Sequence, residues 1–193
     1  LYDRVLNVGP DTVDDPDRDR FLLSKGHGPM AYYAVLAAKG FLDPDILDDW
    51  TTFSSPLGQH PDRMLVPGVE IGAGSLGHGL GLAVGTALGL RAQGRSARTV
   101  VLLGDGELDE GSNFEAIALA GRFGLDRLTA VVIDNRSSSH GWPGGVARRF
   151  EVEGWTARTV DGRDHDALYR AFTTEHPGQP AVVVATIEEA ERP

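Results

Sequence analysis

The stretch "RTVVLLGDG", residues 98–106, decides the fold of this chain. It is a short run of apolar, β-branched residues that ends in glycine, which is typical of a buried strand in a parallel sheet. Similar runs follow as "LTAVVIDN", "TARTVDG" and "AVVVATI", and helical patterns such as "SNFEAIALAGRFG" and "DHDALYRAFTTEH" alternate with them. The alternation predicts an α/β fold, an open and mostly parallel sheet with helices on both faces.

The first half of the chain is predicted to contain helices and loops. Residues 11–20 are expected to form an exposed charged loop, and the apolar residues 28–41 a helix that stops near Gly40. Pro44 suits the first turn of another helix over residues 44–53. An irregular, proline-rich loop is expected next, and then the small apolar residues 76–92 predict a buried helix.

Composition narrows the classes of function. The 193 residues predict a single domain, residues 1–193, and the net charge of −10 argues against a nucleic-acid partner. The lack of cysteine excludes disulfides, thiolate metal sites and a thiol nucleophile, and it fits a cytoplasmic protein. No window of about 18 apolar residues occurs, so we expect no membrane-spanning helix.

The glycine-rich stretch "GVEIGAGSLGHGLG", residues 68–81, contains the literal dinucleotide pattern G-x-G-x-x-G. A dinucleotide site needs a strand directly before the glycines, a helix after them, and an acidic residue about 20 residues later. Only "VEI" separates Gly68 from the pattern, and the expected acidic position lies in "RAQGRSAR". Two alternatives stay open: an NADP site in which Arg95 or Arg98 contacts a phosphate, and glycines that only let a helix pack closely.

Two consecutive predicted strands end in polar residues. Asp105 lies between two glycines after the first strand, and Asn135 follows the next strand. Because adjacent parallel strands end at the same edge of a sheet, we expect these two side chains to lie together. With the backbone carbonyl of Ser137, two phosphate oxygens and a water, they would complete the octahedral oxygen set that Mg²⁺ prefers. Each residue alone is also an ordinary turn residue, so the prediction depends on the pair.

Several stretches follow one another in a recognisable order. They are "RDRFLLSKGHG" (18–28), "GQHPD" (59–63), "GVEIGAGSLGHGLGLAVGTALG" (68–89), "GDGELDEGSNFEA" (104–116) and "GWTARTVDGRDHDAL" (154–168). In this order they resemble the N-terminal, diphosphate-binding part of a transketolase, over about residues 1–186. The resemblance implies a thiamine diphosphate-binding fold and transfer of a two-carbon ketol unit between sugar or sugar phosphate substrates.

The resemblance also implies roles for single residues. The metal ligands would be Asp105, Asn135 and the carbonyl of Ser137, holding Mg²⁺ or Ca²⁺ in its place. The contacts to thiamine diphosphate would come from His27, the backbone of Gly74, Ser75 and Leu76, Asp105, the amide of Gly106, and Asn135.

Three residues are implied to act in catalysis. His27 would lie near the cofactor and the two-carbon fragment, and His60 would bind substrate and handle protons, which suits a side chain that titrates near neutral pH. Glu110 matches a buried acid that links two active sites across a dimer. A favourable charge at a helix start is its alternative role.

In this family a glutamate on a different domain activates the pyrimidine of the cofactor, and no such domain fits within 193 residues. We therefore expect half of a split transketolase, whose partner in a heterodimer or a dimer of heterodimers is a C-terminal pyrimidine-domain subunit. Family segments that carry further histidines are absent at both ends. Three interpretations stay open: truncation at both ends, a divergent specificity, and a non-catalytic scaffold subunit.

Overall fold

The computed structural model describes residues 1–187, and within them the chain forms a five-stranded, all-parallel sheet. The strands are β1 (Arg20–Leu23), β2 (Thr99–Gly104), β3 (Leu128–Asp134), β4 (Thr156–Asp161) and β5 (Ala181–Thr186). Their order across the sheet is β1-β2-β3-β5-β4. The predicted α/β fold with a parallel sheet is confirmed. The predicted domain, residues 1–193, ends in six residues that lie outside those described.

The same part of the chain forms five α-helices. They are α1 (Pro29–Ala38), α2 (His78–Ala92), α3 (Gly111–Phe123), α4 (Gly145–Glu151) and α5 (His165–Thr173). A short 3-10 helix over Gly106–Asp109 joins β2 to α3. No helix within residues 1–187 has the length and apolar content needed to cross a membrane.

Helices cover both faces of the sheet, as predicted. Successive residues of β2 point to opposite faces, so Val101 joins one buried cluster and Val100 joins the other. The first cluster packs β2 and β3 against α2, α3 and α4, and the second packs the sheet against α1 and the loops around it. A strand that is buried on both faces reads as a continuous apolar run, which explains the pattern of residues 98–106.

Three local predictions need correction. Residues 11–20 are not wholly an exposed loop: Asp19 is buried, and its carboxylate accepts a hydrogen bond from the amide of Arg98 at 2.7 Å. Strand β1 begins at Arg20 and is too short for its alternation to be recognised. Residues 44–53 contain a 3-10 helix, Pro44–Asp49, rather than an α-helix, because a single short turn rarely sustains α-helical bonding.

Candidate functional site

The carboxyl ends of β2 and β3 bring Asp105 and Asn135 to one edge of the sheet. The two strands pair in register, and the amide of Asp105 donates to the carbonyl of Ile133 at 3.1 Å. Asp105 is buried, and its carboxylate accepts hydrogen bonds from the amides of Ser137 (2.7 Å) and Ser138 (3.1 Å) and from the Ser137 hydroxyl (2.6 Å). The loop after β3 is therefore wrapped around the carboxylate that ends β2.

The donor set at this edge fits a small divalent cation. The Oδ1 atom of Asn135 is buried and has no hydrogen-bond partner, which is costly for a protein acceptor unless a ligand completes it. A Cβ atom on Gly106 would lie 3.3 Å from the carbonyl oxygen of Ser137, so glycine there keeps the cradle open. Amide, carbonyl and carboxylate oxygens are the ligands that Mg²⁺ and Ca²⁺ take.

The candidate cation ligands at this edge do not include a cluster of charged side chains. The described residues contain no group of three or more histidine, cysteine, aspartate or glutamate side chains arranged to hold a metal. One carboxylate, one side-chain amide and one carbonyl leave part of an octahedral shell open. Mg²⁺ commonly fills such a shell with water and substrate phosphates.

The glycine-rich segment before α2 is shaped by close contacts. Gly74 and Gly77 both have positive φ, at 136° and 82°, where L side chains are strained. A Cβ atom on Gly74 would lie 3.2 Å from the ring of His60. One on Gly77 would lie 2.6 Å from both the Cβ of Glu110 and the Oγ of Ser112. These two glycines let the segment touch its neighbours with its backbone.

Ser75 and Leu76 lie between the two constrained glycines, and both are exposed. The segment is tied down just after them, because the Ser112 hydroxyl donates to the carbonyl of Gly77 at 2.8 Å. The backbone of Ser75 and Leu76 therefore lies at the surface of an anchored segment, where a ligand can reach it.

The dinucleotide alternative lacks its structural context. Turns and bends lead into α2 over residues 68–77, so no strand precedes the glycines. The Arg95 side chain lies 2.9 Å from a carboxylate oxygen of Asp17. The Arg98 side chain lies 2.6 Å from that of Asp19. Both arginines considered for an NADP phosphate are thus already paired with acids.

The structure brings His27, His60 and Gly74 together. The two imidazole rings have centroids 6.4 Å apart, and both histidines are exposed. The Nδ1 atom of His60 lies 3.1 Å from the carbonyl oxygen of Gly26. A carbonyl only accepts, so this contact requires a proton on Nδ1 and leaves Nε2 free to exchange a proton in the neutral ring.

Glu110 is not the buried acid of this chain. It is exposed, in the N-cap position of α3, where its side chain points toward the surface beside Gly77. The buried glutamate is Glu107, which is 3% exposed. The burial that the resemblance implies for Glu110 belongs to a dimer, so the single chain does not decide it. Its proposed link across a dimer stays a prediction.

Sequence reasoning missed Glu107 altogether. Its Oε1 atom accepts hydrogen bonds from the Ser24 hydroxyl and from the amide of Gly77 at 3.0 Å, and its Oε2 atom accepts one from Gly104 at 3.3 Å. The Ser24 hydroxyl in turn accepts from the amide of Gly79 at 3.1 Å. Residues 105–110 contain four acids, and no periodicity shows that Glu107 is buried.

Asp109 was missed as well. Its carboxylate accepts hydrogen bonds from the Ser138 hydroxyl (2.8 Å) and from the amides of Ser139 (2.8 Å) and His140 (3.3 Å). Desolvation by itself would raise the pKa of Asp109, but these bonds favour the charged form and hold that pKa below its ordinary value. Asp109 thus fastens the outer part of the loop that Asp105 holds at its base.

A buried arginine supports this turn from behind. The guanidinium of Arg149, on α4, donates to the carbonyl of Leu108 and lies 3.7 Å from the ring centroid of Phe114. Desolvation lowers the pKa of Arg149, and the charge of Asp109 opposes that shift. Arg149 thus links the carbonyl of Leu108 in the turn to the Phe114 ring of α3.

Comparison with known proteins gives one consistent result. Residues 1–187 match the family described as transketolase, thiamine diphosphate binding domain. The chain is 59% identical over 188 residues to a Rhodococcoides fascians protein named ferredoxin fas2, covering 97% of the chain and 62% of that protein. It is 36% identical over 192 residues to one subunit of the apulose-4-phosphate transketolase of Actinobacillus succinogenes, covering 96% of the chain and 70% of that protein.

Among solved structures, the transketolase from Leishmania mexicana superposes with a TM-score of 0.85 at 31% sequence identity. The match covers 96% of this chain but only 31% of that one. The chain thus spans about two thirds of these two sequence relatives, and about a third of the Leishmania mexicana transketolase chain.

Proposed function

Because the chain belongs to the transketolase family, we propose that it is the diphosphate-binding subunit of a split transketolase. In this proposal it binds thiamine diphosphate with Mg²⁺ or Ca²⁺ and, together with a second subunit, acts as a transferase. The reaction is the transfer of a two-carbon ketol unit from a ketose or ketose phosphate to an aldose acceptor. The location that goes with this role is the cytoplasm.

One observation carries the proposal. The buried Oδ1 atom of Asn135 has no protein partner, and it follows the strand that pairs with the strand ending at Asp105. A cation and an anion bound between the loops would give both residues a function at this edge. Asp105, Asn135 and the carbonyl of Ser137 would hold the metal, and the amide of Gly106 would donate to a diphosphate oxygen.

The rest of the site would hold the organic part of the cofactor, which supplies the carbanion chemistry when it is bound. The backbone of Gly74 and of the exposed residues Ser75 and Leu76 would contact the aminopyrimidine ring. His27 and His60 lie close enough to one another to face the same substrate. His60, with Nδ1 fixed by the carbonyl of Gly26, would accept or return a proton at Nε2.

The proposed partner is a pyrimidine-domain subunit. The Actinobacillus succinogenes relative is named as one subunit of its transketolase, which implies a second subunit for that protein. In this chain the proposed contacts Ser75 and Leu76, the two histidines and Glu110 are all exposed. A heterodimer or a dimer of heterodimers would cover them and exclude water from the reaction.

The test is calorimetric titration of thiamine diphosphate into the chain, alone and mixed with a candidate pyrimidine-domain subunit, with and without Mg²⁺. Binding that requires Mg²⁺ and strengthens with the partner supports the proposal. Complex formation without any heat from the cofactor contradicts it and favours the scaffold role. If the complex bound thiamine diphosphate in a Mg²⁺-dependent way but turned over no ketose, the proposed transferase activity would be contradicted and the proposed cofactor site would stand.

A further inference from the structure

Glu107 connects three segments that are far apart in the sequence. Its two carboxylate oxygens accept from the hydroxyl of Ser24 after β1, the amide of Gly77 before α2, and the amide of Gly104 at the end of β2. The residue is 3% exposed. Within residues 1–187 it forms no ion pair, so donors alone compensate its burial.

The arrangement leaves little freedom to the segment that it holds. The Ser24 hydroxyl donates to Glu107 and accepts from the amide of Gly79, so two of the free amides at the start of α2, those of Gly77 and Gly79, lead to the same carboxylate. A Cβ atom on Gly79 would lie 2.2 Å from the Cβ of Ser24, which shows how closely the two segments approach. The position of Gly77 is therefore fixed relative to the turn that carries Asp105.

We propose that Glu107 is a positioning residue that sets the distance between the Gly74–Gly77 segment and the diphosphate centre at Asp105 and Asn135. This inference rests on the proposed function, because it assigns the two parts of the site to the two ends of one cofactor. Glu107 touches neither end itself. Its shorter bonds hold the ring-binding segment, and its bond to Gly104 is the longest of the three, whereas Asp105 holds the loop that would bind the metal and diphosphate.

The test compares Glu107→Ala, Glu107→Gln and Ser24→Ala with the control Glu175→Gln, an exposed glutamate in the turn that precedes β5, at the opposite edge of the sheet. Amide hydrogen exchange at Gly77 and Gly79 is measured first, on the full chain without ligand. Titrations of Mg–thiamine diphosphate and of Mg–diphosphate follow, on the chain mixed with its candidate partner. The inorganic probe lacks the rings and reports on the diphosphate centre alone.

In Glu107→Ala we expect exchange at Gly77 to accelerate at least about tenfold, because a bond to a carboxylate is lost. Affinity for Mg–thiamine diphosphate should fall at least about tenfold, while affinity for Mg–diphosphate changes less than about twofold. Glu107→Gln retains one acceptor oxygen and should rescue most of both effects. Ser24→Ala keeps the carboxylate and should accelerate exchange at Gly79 with a smaller loss of affinity.

Two results would overturn the inference. One is unchanged exchange at Gly77 in Glu107→Ala and at Gly79 in Ser24→Ala. The other is an equal loss of affinity for both probes, which indicates a general loss of structure. If Glu107→Ala does not fold, Ser24→Ala decides, and unchanged exchange at Gly79 in that variant overturns the inference. A wild-type chain that binds neither probe refutes the proposed function, and the exchange data still decide the role of Glu107.

Discussion

The two loops of the candidate site, the segment 72–77 and the loop 135–140, are held by the same turn in different ways. The first is fixed by shape: two glycines with positive φ, backbone contacts, and one buried carboxylate. The second is fixed by donors: serine hydroxyls and successive amides that surround Asp105 and Asp109.

This difference predicts which changes each loop tolerates. A segment that is fixed by shape should be sensitive to added volume and indifferent to modest changes in charge. A loop that is fixed by donors to carboxylates should be sensitive to loss of charge and to acid.

Removal of the carboxylate at the base of the second loop should have the largest effect. In Asp105→Ala, a proposed metal ligand and three hydrogen bonds are lost together. We expect Mg²⁺-dependent binding of thiamine diphosphate to weaken more than about 100-fold and activity of the assembled complex to disappear, since changes even outside the ligand shell often cost 10–100-fold. Asp126→Ala, at the other edge of the sheet, is the control. Unchanged turnover in Asp105→Ala would refute the metal assignment.

Added volume should disrupt the first segment, but only at particular glycines. Gly77→Ala puts a methyl group 2.6 Å from Glu110 and Ser112 at a positive φ, and should lower the free energy of unfolding by about 2–4 kcal/mol. Gly72→Ala is the matched control: its nearest neighbour would be the carbonyl of Pro61, at 3.8 Å. We expect a change within about 0.5 kcal/mol there. Chemical denaturation measures both, and equal losses would contradict the role assigned to shape.

Neutralising Asp109, which holds the outer part of the loop 135–140, should have a smaller effect on stability. Asp109→Asn replaces an acceptor oxygen by an amide that cannot accept, and should lower the free energy of unfolding by about 1 kcal/mol. Because the folded pKa of Asp109 lies below its ordinary value of 3.8, its contribution is present above that pH and is lost as pH falls through the folded pKa. Wild type and variant should therefore differ in stability at pH 7 and converge in acid. If the difference in stability between wild type and Asp109→Asn grew on acidification, that would contradict the role assigned to Asp109.

A nicotinamide dinucleotide should not change the thermal stability of the chain. The 72–77 segment has no strand before it, and the arginines considered for a phosphate are paired with acids. We expect NADPH to leave the thermal unfolding of the chain unchanged, while Mg²⁺ and thiamine diphosphate with the partner raise the unfolding temperature. Protection by NADPH alone would return the glycine pattern to its dinucleotide interpretation.

Much of the fold and of the site's location could be predicted, because the local strand patterns also determine which residues lie at the carboxyl edge of the sheet. The apolar run before Asp105 predicts a buried parallel strand, and adjacent strand ends predict that Asp105 and Asn135 meet. The resemblance assigns His27, His60 and the backbone of Gly74 to one site, and the three lie close together in the structure, while their roles stay predictions. These features survive because each depends on where a strand or loop ends, and not on side-chain rotamers.

The details that escaped prediction depend on packing. Four acids follow one another between residues 105 and 110, and only the three-dimensional turn decides that Glu107 faces inward while Glu110 faces outward. Strand β1 is four residues long, too short for a reliable alternation. Helix α4 starts at the second of two consecutive glycines, where the local sequence indicates a turn.

The position of Glu107 in the chain has a consequence for the order of events during synthesis. Ser24 and Gly77 leave the ribosome before Glu107, so the Gly77 amide has no acceptor until that residue has emerged. The loop that Asp109 holds through Ser138 arrives later still. A nascent chain that stalls before residue 107 carries the glycine-rich segment without its anchor, and the whole site can close only after translation has passed the end of the second loop.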